Sequence, residues 1–481
     1  MSIIGIRNIR NNIGIHLLRS HNVATALFLL VILLWMVVSR TLQDSNLDRL
    51  IVASTVLTAF LLGFIIISFI DLQLSTKLKV IFLLWLLIKI VIGLGNYYIL
   101  LADAAGYYGI TPYGDHHWHH KVAQDLAAFW AWGTLGQVPA FLASQVEQIG
   151  YAYFLGILYF ITGPLPETGI LFNSLLAFIL CILGYKLFLL SGMETKYART
   201  GLLFLFLSPM LWWTSSGLLK DPLVFVVLTS YVVCILSLIR KFKINTVILA
   251  GLLLIALVPL RFAYFFVAVF ITFIGYLWLS HRGNIVRKFG FLLCLAFLLA
   301  ILVAILNHLG LYKFDPLDSD SYFFAFYGAE PVGGRFMVEG SSHQIYLHNF
   351  WYALPAKALY ISTIPFPWFG GDSLVARAEY LISHMDSLYF ITVVVACVIT
   401  YLHRKKILIS KERWVLLFIG LIIFIIPLFH QEPTRRHIAV SIPFFLAYCT
   451  PTMAHKKNLI TSIYLAMFVI VIVQFGYYTV Y

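Results

Sequence analysis

Charged residues are scarce in this sequence: Asp, Glu, Lys and Arg make up 11% of its 481 residues, less than half the share usual in a water-soluble domain. A soluble fold would have too few polar side chains to cover its surface, so a soluble globular protein is excluded. Cysteine is also sparse. Cys181, Cys234, Cys294, Cys397 and Cys449 all lie inside apolar runs, with no CxxC spacing. That excludes a disulfide framework and a zinc knuckle and leaves small buried hydrophobes. Internal repeats and low-complexity tracts are absent. So is a small-residue cleavage site after the first apolar run, Val23–Val38, where Ser39, Arg40 and Thr41 follow. The run reads as an uncleaved first span and not as a signal peptide.

Apolar sequence fills the space. The chain is 61% hydrophobic, with a mean hydropathy of +0.93. A bilayer core about 30 Å thick needs ~20 apolar helical residues, with ~17 as a working minimum. By that measure the sequence predicts an all-α polytopic membrane protein with about 13 transmembrane helices (11–13). They lie near 23–39, 51–70, 80–101, 170–190, 201–216, 222–239, 246–260, 262–279, 289–309, 388–402, 414–429, 438–453 and 459–478. The pair flanking Arg261 reads equally well as one broken helix.

The net charge of +13 suggests nucleic acid, but its distribution does not. The basic residues form short clusters between apolar runs, as topology signals do. With a cytoplasmic N-terminus, alternate loops carry 21 of the 33 basic residues and 3 of the 20 acidic ones. Each such loop is basic, so the positive-inside rule is met at every turn. Two long loops, roughly 102–169 and 310–387, then fall outside. Both are rich in Trp, Tyr, Phe and His. Their apolar stretches, Tyr151–Ile161 and Trp351–Phe369, are too short or too proline-broken to span, so both loops are expected to carry amphipathic helices on the outer surface.

Ionisable residues near membrane depth are costly and are functional candidates by default. Here nearly all gather on the expected outer side: Asp103, Asp115, Lys220, Asp221, Arg261, Arg335, Glu339, His343, Asp372, Glu379 and the stretch His430–His437. Beyond Trp118, the apolar residues Val122, Leu126 and Phe129 follow helical spacing, so Asp115 opens an amphipathic helix. It reads as an N-cap, as a general base at the mouth of a cavity, or as both. His116, His119 and His120 share a helix face at metal-ligand spacing. A wet face or a phosphate contact is the simpler reading, so no metal is assigned, and a divalent ion there is the alternative. Lys220 precedes a helix opened by Asp221 and Pro222, where a cation sits poorly unless an anion is bound. Arg261, alone among apolar residues, either snorkels or forks onto phosphate. Arg435 and Arg436, on the side where arginine is rare, favour an anion. Lys89 stands in the middle of the third span, and the sequence offers it no partner.

Four motifs carry a resemblance: Gly114-Asp115 through Ala127; Gly150 through Gly163 with Asn173-Ser-Leu-Leu-Ala177; Leu219-Lys-Asp-Pro222; and Pro365-Phe-Pro-Trp368 with Arg435-Arg436. Over roughly 80–450 the chain resembles the GT-C membrane glycosyltransferases, especially bacterial relatives of protein O-mannosyltransferases and of lipid A aminoarabinose transferase. It departs from them in having His116 and His119 near the aspartate, and in two extra spans within 1–79. Residues 80–309 then correspond to the core, 310–387 to a second outer loop and 388–481 to the C-terminal spans. The resemblance implies a bacterial inner-membrane enzyme. Its donor is a sugar on polyprenyl phosphate, its acceptor a glycan, lipid or protein, and its site faces outward. Asp115 is the expected base and Asp103 its reserve. Lys220, Arg261, Arg435 and Arg436 hold the donor phosphate, and His119, His120, Asp221, Arg335 and Trp368 contact substrate. A polymerase or ligase using polyprenyl pyrophosphate, and a flippase or transporter, are the rivals.

Overall fold

The computed structural model describes residues 46–69, 74–98, 115–138, 149–279, 374–404, 409–425 and 438–455, with positions 462, 465 and 469 beyond them. Among the described residues every regular element is helical. The helices are α1 (Asn46–Phe69), α2 (Thr76–Asn96), α3 (Asp115–Ala131), α4 (Gly150–Thr162), α5 (Pro166–Leu190), α6 (Thr195–Phe206), α7 (Pro209–Thr214), α8 (Asp221–Arg240), α9 (Ile244–Leu260), α10 (Phe262–Leu279), α11 (Leu374–Leu402), α12 (Lys411–Ile425) and α13 (Ile442–His455).

Five of the described helices are long and apolar enough to cross a membrane, through Leu50–Ser68, Thr76–Asn96, Pro166–Leu190, Asp221–Arg240 and Met385–Leu402. The chain is an α-helical membrane protein. The expected spans near 23–39, 289–309 and 459–478 lie outside the described residues. Several helices are apolar nearly all round. α5 is largely buried, whereas α1 and α9 turn Leu61, Ile65, Ile248 and Leu252 outward. In water such faces would be untenable; against lipid chains they cost nothing.

One expected span is broken. The run 201–216 is apolar throughout, yet it forms two short helices, α6 and α7, separated at Leu207-Ser208. Pro209 has no N–H for a continuing helix and suits the first turn of a new one. Ser208 caps α7 by accepting from the Leu211 amide at 3.4 Å. The carbonyls freed at the break are taken by side chains. Tyr389 donates to Phe204 O at 2.8 Å, and Trp85 Nε1 and Trp212 Nε1 to Phe206 O at 3.2 and 2.5 Å. The chain also breaks at Arg261, whose backbone is extended between α9 and α10. Pro259 in the last turn of α9 weakens that helix from within. The helix expected near 388–402 already begins at Leu374.

α3 and α4 form a hairpin at one end of the bundle. Gly156 lets α4 approach α3: a β-carbon there would lie 3.1 Å from Leu126 Cβ. Val122, Leu126 and Ala152 make a small core between them, flanked by Trp118, Trp130 and Val138. Near the opposite end, α5, α6, α8, α12 and α13 are tied by Arg240 to Leu190 O at 2.6 Å, Ser410 to Ser191 O at 2.7 Å and Tyr197 to His455 at 2.9 Å.

Candidate functional site

The stretch 215–220, between α7 and α8, is not helical, and Ser215 through Lys220 are all buried. Backbone polar groups in that state need partners; side chains from α5 and α3 bond the backbone of the stretch, and one from α2 bonds the adjoining Trp212 carbonyl and the Ser216 hydroxyl. Asn173 Nδ2, on α5, donates to Gly217 O at 2.6 Å and Leu219 O at 3.0 Å. On α3, His119 Nδ1 lies 2.9 Å from Leu218 O, and His116 Nδ1 accepts from Leu218 N at 2.9 Å. Lys89 Nζ, on α2, donates to Trp212 O at 2.6 Å and Ser216 Oγ at 2.7 Å. Gly217 is required at its place: a β-carbon would stand 2.2 Å from His116 Cε1.

These bonds fix the tautomers. An amide N–H bonded to His116 Nδ1 requires a lone pair there, so the ring is neutral with its proton on Nε2. His119 bonded to a carbonyl must carry its proton on Nδ1. His120 Nδ1 lies 2.8 Å from the Tyr159 hydroxyl. Burial, with His117 nearby, lowers the His120 pKa from 6.5 to about 4, so it too is neutral at ordinary pH. The histidines expected to meet substrate or metal therefore spend a ring nitrogen each on the protein: two bind the loop and one binds α4. Among the described residues no group of three or more His, Cys, Asp or Glu is arranged to hold a metal.

The loop delivers Lys220 to the N-terminal end of α8. Lys220 takes the cap position, 8% exposed, with no side-chain cap bond, and Pro222 is in the first turn. Asp221 is the first helical residue. It is fully buried, and its Oδ1 accepts from Arg261 Nη1 at 3.1 Å. Asp221, expected to touch substrate, grips Arg261. Arg261 does not snorkel alone. Its guanidinium lies 5.6 Å from the Tyr264 ring centroid.

Asp115 is the first residue of α3, adjacent to His116 and so beside the loop; its carboxylate lies outside the described residues. The structure thus brings the α3 start, Lys220, Asp221 and Arg261 to one end of the bundle. Asp103, Arg335, Trp368, Arg435 and Arg436 lie outside the described residues.

Two residues that form the site escape sequence reasoning: Lys89 shows no partner there, and Asn173 stands out only within a motif. Glu167, 5% exposed, accepts from the Tyr98 hydroxyl at 2.8 Å at the start of α5. Each is a polar residue in or beside an apolar run, the signal that singles out such positions. Comparison with protein-family models, with curated proteins and with solved structures finds no match to this chain.

Proposed function

We propose that the chain is an integral-membrane glycosyltransferase of GT-C type that moves a sugar from a polyprenyl-phosphate donor to an acceptor at the extracytoplasmic face of a bacterial inner membrane. About 13 spans and a cytoplasmic N-terminus belong to this reading, with the bundle end that carries Lys220 and Arg261 facing outward. One observation carries it: the 2.9 Å bond from Leu218 N to His116 Nδ1. It ties the first turn of the helix that Asp115 opens to the loop that ends in Lys220, so two distant parts of the chain that carry the expected base and the expected cation meet at one end of the bundle.

The chemistry asks for that pairing. The acceptor hydroxyl attacks the anomeric carbon, the bond from that carbon to the phosphate oxygen breaks, and its electron pair leaves on the phosphate. Asp115 receives the acceptor proton. Lys220 and Arg261, with Arg435 and Arg436, offset the charge that grows on the leaving group. Asp221 aims Arg261. Arg335 and Trp368 are left for sugar or acceptor contact.

The test is transfer by the full chain in lipid, using radiolabelled polyprenyl-phosphate sugars and membrane-extract acceptors. Wild type should turn over, Asp115→Asn should lose turnover while still binding donor, and Lys220→Met should weaken both. Equal activity in wild type and Asp115→Asn would move the base to Asp103. Addition of a whole repeat unit from a pyrophosphate donor would mark a polymerase instead.

A second reading has its own support. Broken helices and polar residues at depth are common in transporters, and this chain has breaks at Leu207-Ser208 and Arg261 and a fully buried Lys89. Labelled lipid crossing the bilayer, with no sugar transfer from any donor, would favour a flippase.

A further inference from the structure

Lys89 lies seven residues from the end of α2, and Asn173 seven from the start of α5, about 10 Å along each helix at 1.5 Å per residue. A lysine this far inside is unusual, and this one is fully buried. Its Nζ donates to Trp212 O at 2.6 Å and Ser216 Oγ at 2.7 Å, and lies 5.0 Å from the Trp212 ring centroid. Ser216 Oγ in turn donates to Trp212 O at 2.6 Å.

Lys89 does not act alone on its helix. Trp85, Lys89 and Gly93 fall at i, i+4 and i+8, on one face. Trp85 donates to Phe206 O at 3.2 Å and stacks on the Phe206 ring at 4.9 Å. At Gly93 a β-carbon would lie 3.1 Å from Ile170 Cγ2 and 3.3 Å from Ser174 Oγ, so the missing side chain leaves room for α5, and Ser216 Cα would stand 3.9 Å away, at ordinary contact distance. One face of α2 therefore supports the chain from the α6–α7 break to Ser216. Beyond Ser216 the same chain receives Asn173, His116 and His119, and then presents Lys220 and Asp221.

We infer that Lys89 is a positioning residue for the transfer site: it holds the segment 212–220, so that Lys220 and the first turn of α3 keep a fixed mutual geometry. The role rests on the proposed transfer reaction. Lys89 has no exposed surface and is not a catalytic residue. A misplacement of about 1 Å at a reacting centre can cost ~100-fold in rate.

The test compares Lys89→Met and Lys89→Arg with wild type as full chains in lipid, normalised to folded protein. Two quantities are read: transfer kinetics, and amide hydrogen exchange in the peptide covering 212–220. Lys89→Met is expected to lower kcat by ~100-fold, with donor KM changed by less than about threefold, and to speed exchange in that peptide. Lys89→Arg, which keeps donors on the carbonyl, is expected to recover at least about tenfold of the rate and most of the protection. A merely structural lysine would reduce the folded yield and leave kcat per folded molecule intact; that result overturns the proposal. So does a fall in kcat with unchanged exchange in the segment. If wild type transfers no sugar, the proposed function falls by itself, and the exchange measurement still decides whether Lys89 holds the segment.

Discussion

Asp221 Oδ1 accepts from Arg261 Nη1 at 3.1 Å, joining the first residue of α8 to the break between α9 and α10. The pair is unevenly buried: the Asp221 side chain is 0% exposed and that of Arg261 13%. The two partners should therefore differ in what their removal costs. Arg261→Met strips a sealed carboxylate of this cation, a loss of about 3–5 kcal/mol. Asp221→Asn removes the charge but keeps an acceptor, and Arg261 reaches water at its rim, so about 1.5–3 kcal/mol is expected. Thermal unfolding in detergent checks the order. A greater loss in Asp221→Asn would mean that Arg261 depends on this pair more than Asp221 does.

Two glycines give a second contrast. A β-carbon at Gly150 would lie 2.8 Å from both the carbonyl carbon and oxygen of Pro259, whereas one at Gly251 would meet nothing within 4 Å. The first clash is with backbone near the end of α9 and cannot be relieved by a rotamer change. Gly150→Ala should cost about 1–3 kcal/mol, and Gly251→Ala, inside α9, should be neutral or stabilise by up to about 1 kcal/mol. Melting of the two variants side by side is enough, and a Gly150→Ala protein as stable as Gly251→Ala would show that α4 does not pack against α9 at this point.

Much of the helical layout could be read from the sequence, because an apolar run of bilayer length is a strong signal. The runs 51–70, 170–190 and 222–239 became helices Asn46–Phe69, Pro166–Leu190 and Asp221–Arg240. The spacing of Val122, Leu126 and Phe129 gave α3, and the short apolar stretch at Tyr151 gave α4. Hydropathy is blind to backbone continuity, so the run 201–216 reads as one span although it forms two helices. Pro209 was the available sign, and its meaning depended on Trp85 and Tyr389 being there to take the freed carbonyls.

The site was legible as a set of charges and not as a set of bonds. Asp221 and Arg261 stand 40 residues apart, and each alone suggested its own use. Lys89, Asn173, His116 and His119 all find their partners between Trp212 and Leu219, most of them backbone atoms, which leave no mark on residue identity. A histidine that binds a carbonyl cannot be told by sequence from one that binds a phosphate or a metal. That is why the His116–His120 run reads as a wet or phosphate-binding face, with a metal as the alternative, when two of its rings hold the loop.

His120 supplies a pH prediction. Burial and then His117 hold its pKa at about 4, below the ordinary 6.5. Between those values the unfolded chain takes up a proton that the folded chain refuses. Its contribution to stability is therefore full above pH 6.5 and is lost as pH falls towards 4. The full difference corresponds to about 3 kcal/mol. Melting temperature should fall between pH 7 and pH 5 in wild type and fall less in His120→Asn, which keeps a polar group near Tyr159. Equal slopes for the two proteins would remove His120 as the source.

A proline and an arginine meet at one carbonyl, that of Ala447. Pro451 lies inside α13 and has no N–H for the carbonyl four residues back, that of Ala447. Arg413, 5% exposed on α12, donates to that carbonyl from Nε at 3.3 Å and to Tyr448 O from Nη2. A cation beside the basic loop thus fills the gap that the proline makes in a neighbouring helix. Arg413→Leu leaves the Ala447 carbonyl buried without a donor, at about 1–3 kcal/mol for that group. With alanine at 451 an N–H returns to Ala447 O, so Arg413→Leu should then cost less by about that amount. A double-mutant cycle on thermal unfolding measures the coupling. Strict additivity would mean that the contact with Tyr448 O carries the whole role of Arg413 and that the gap at Ala447 is filled in some other way.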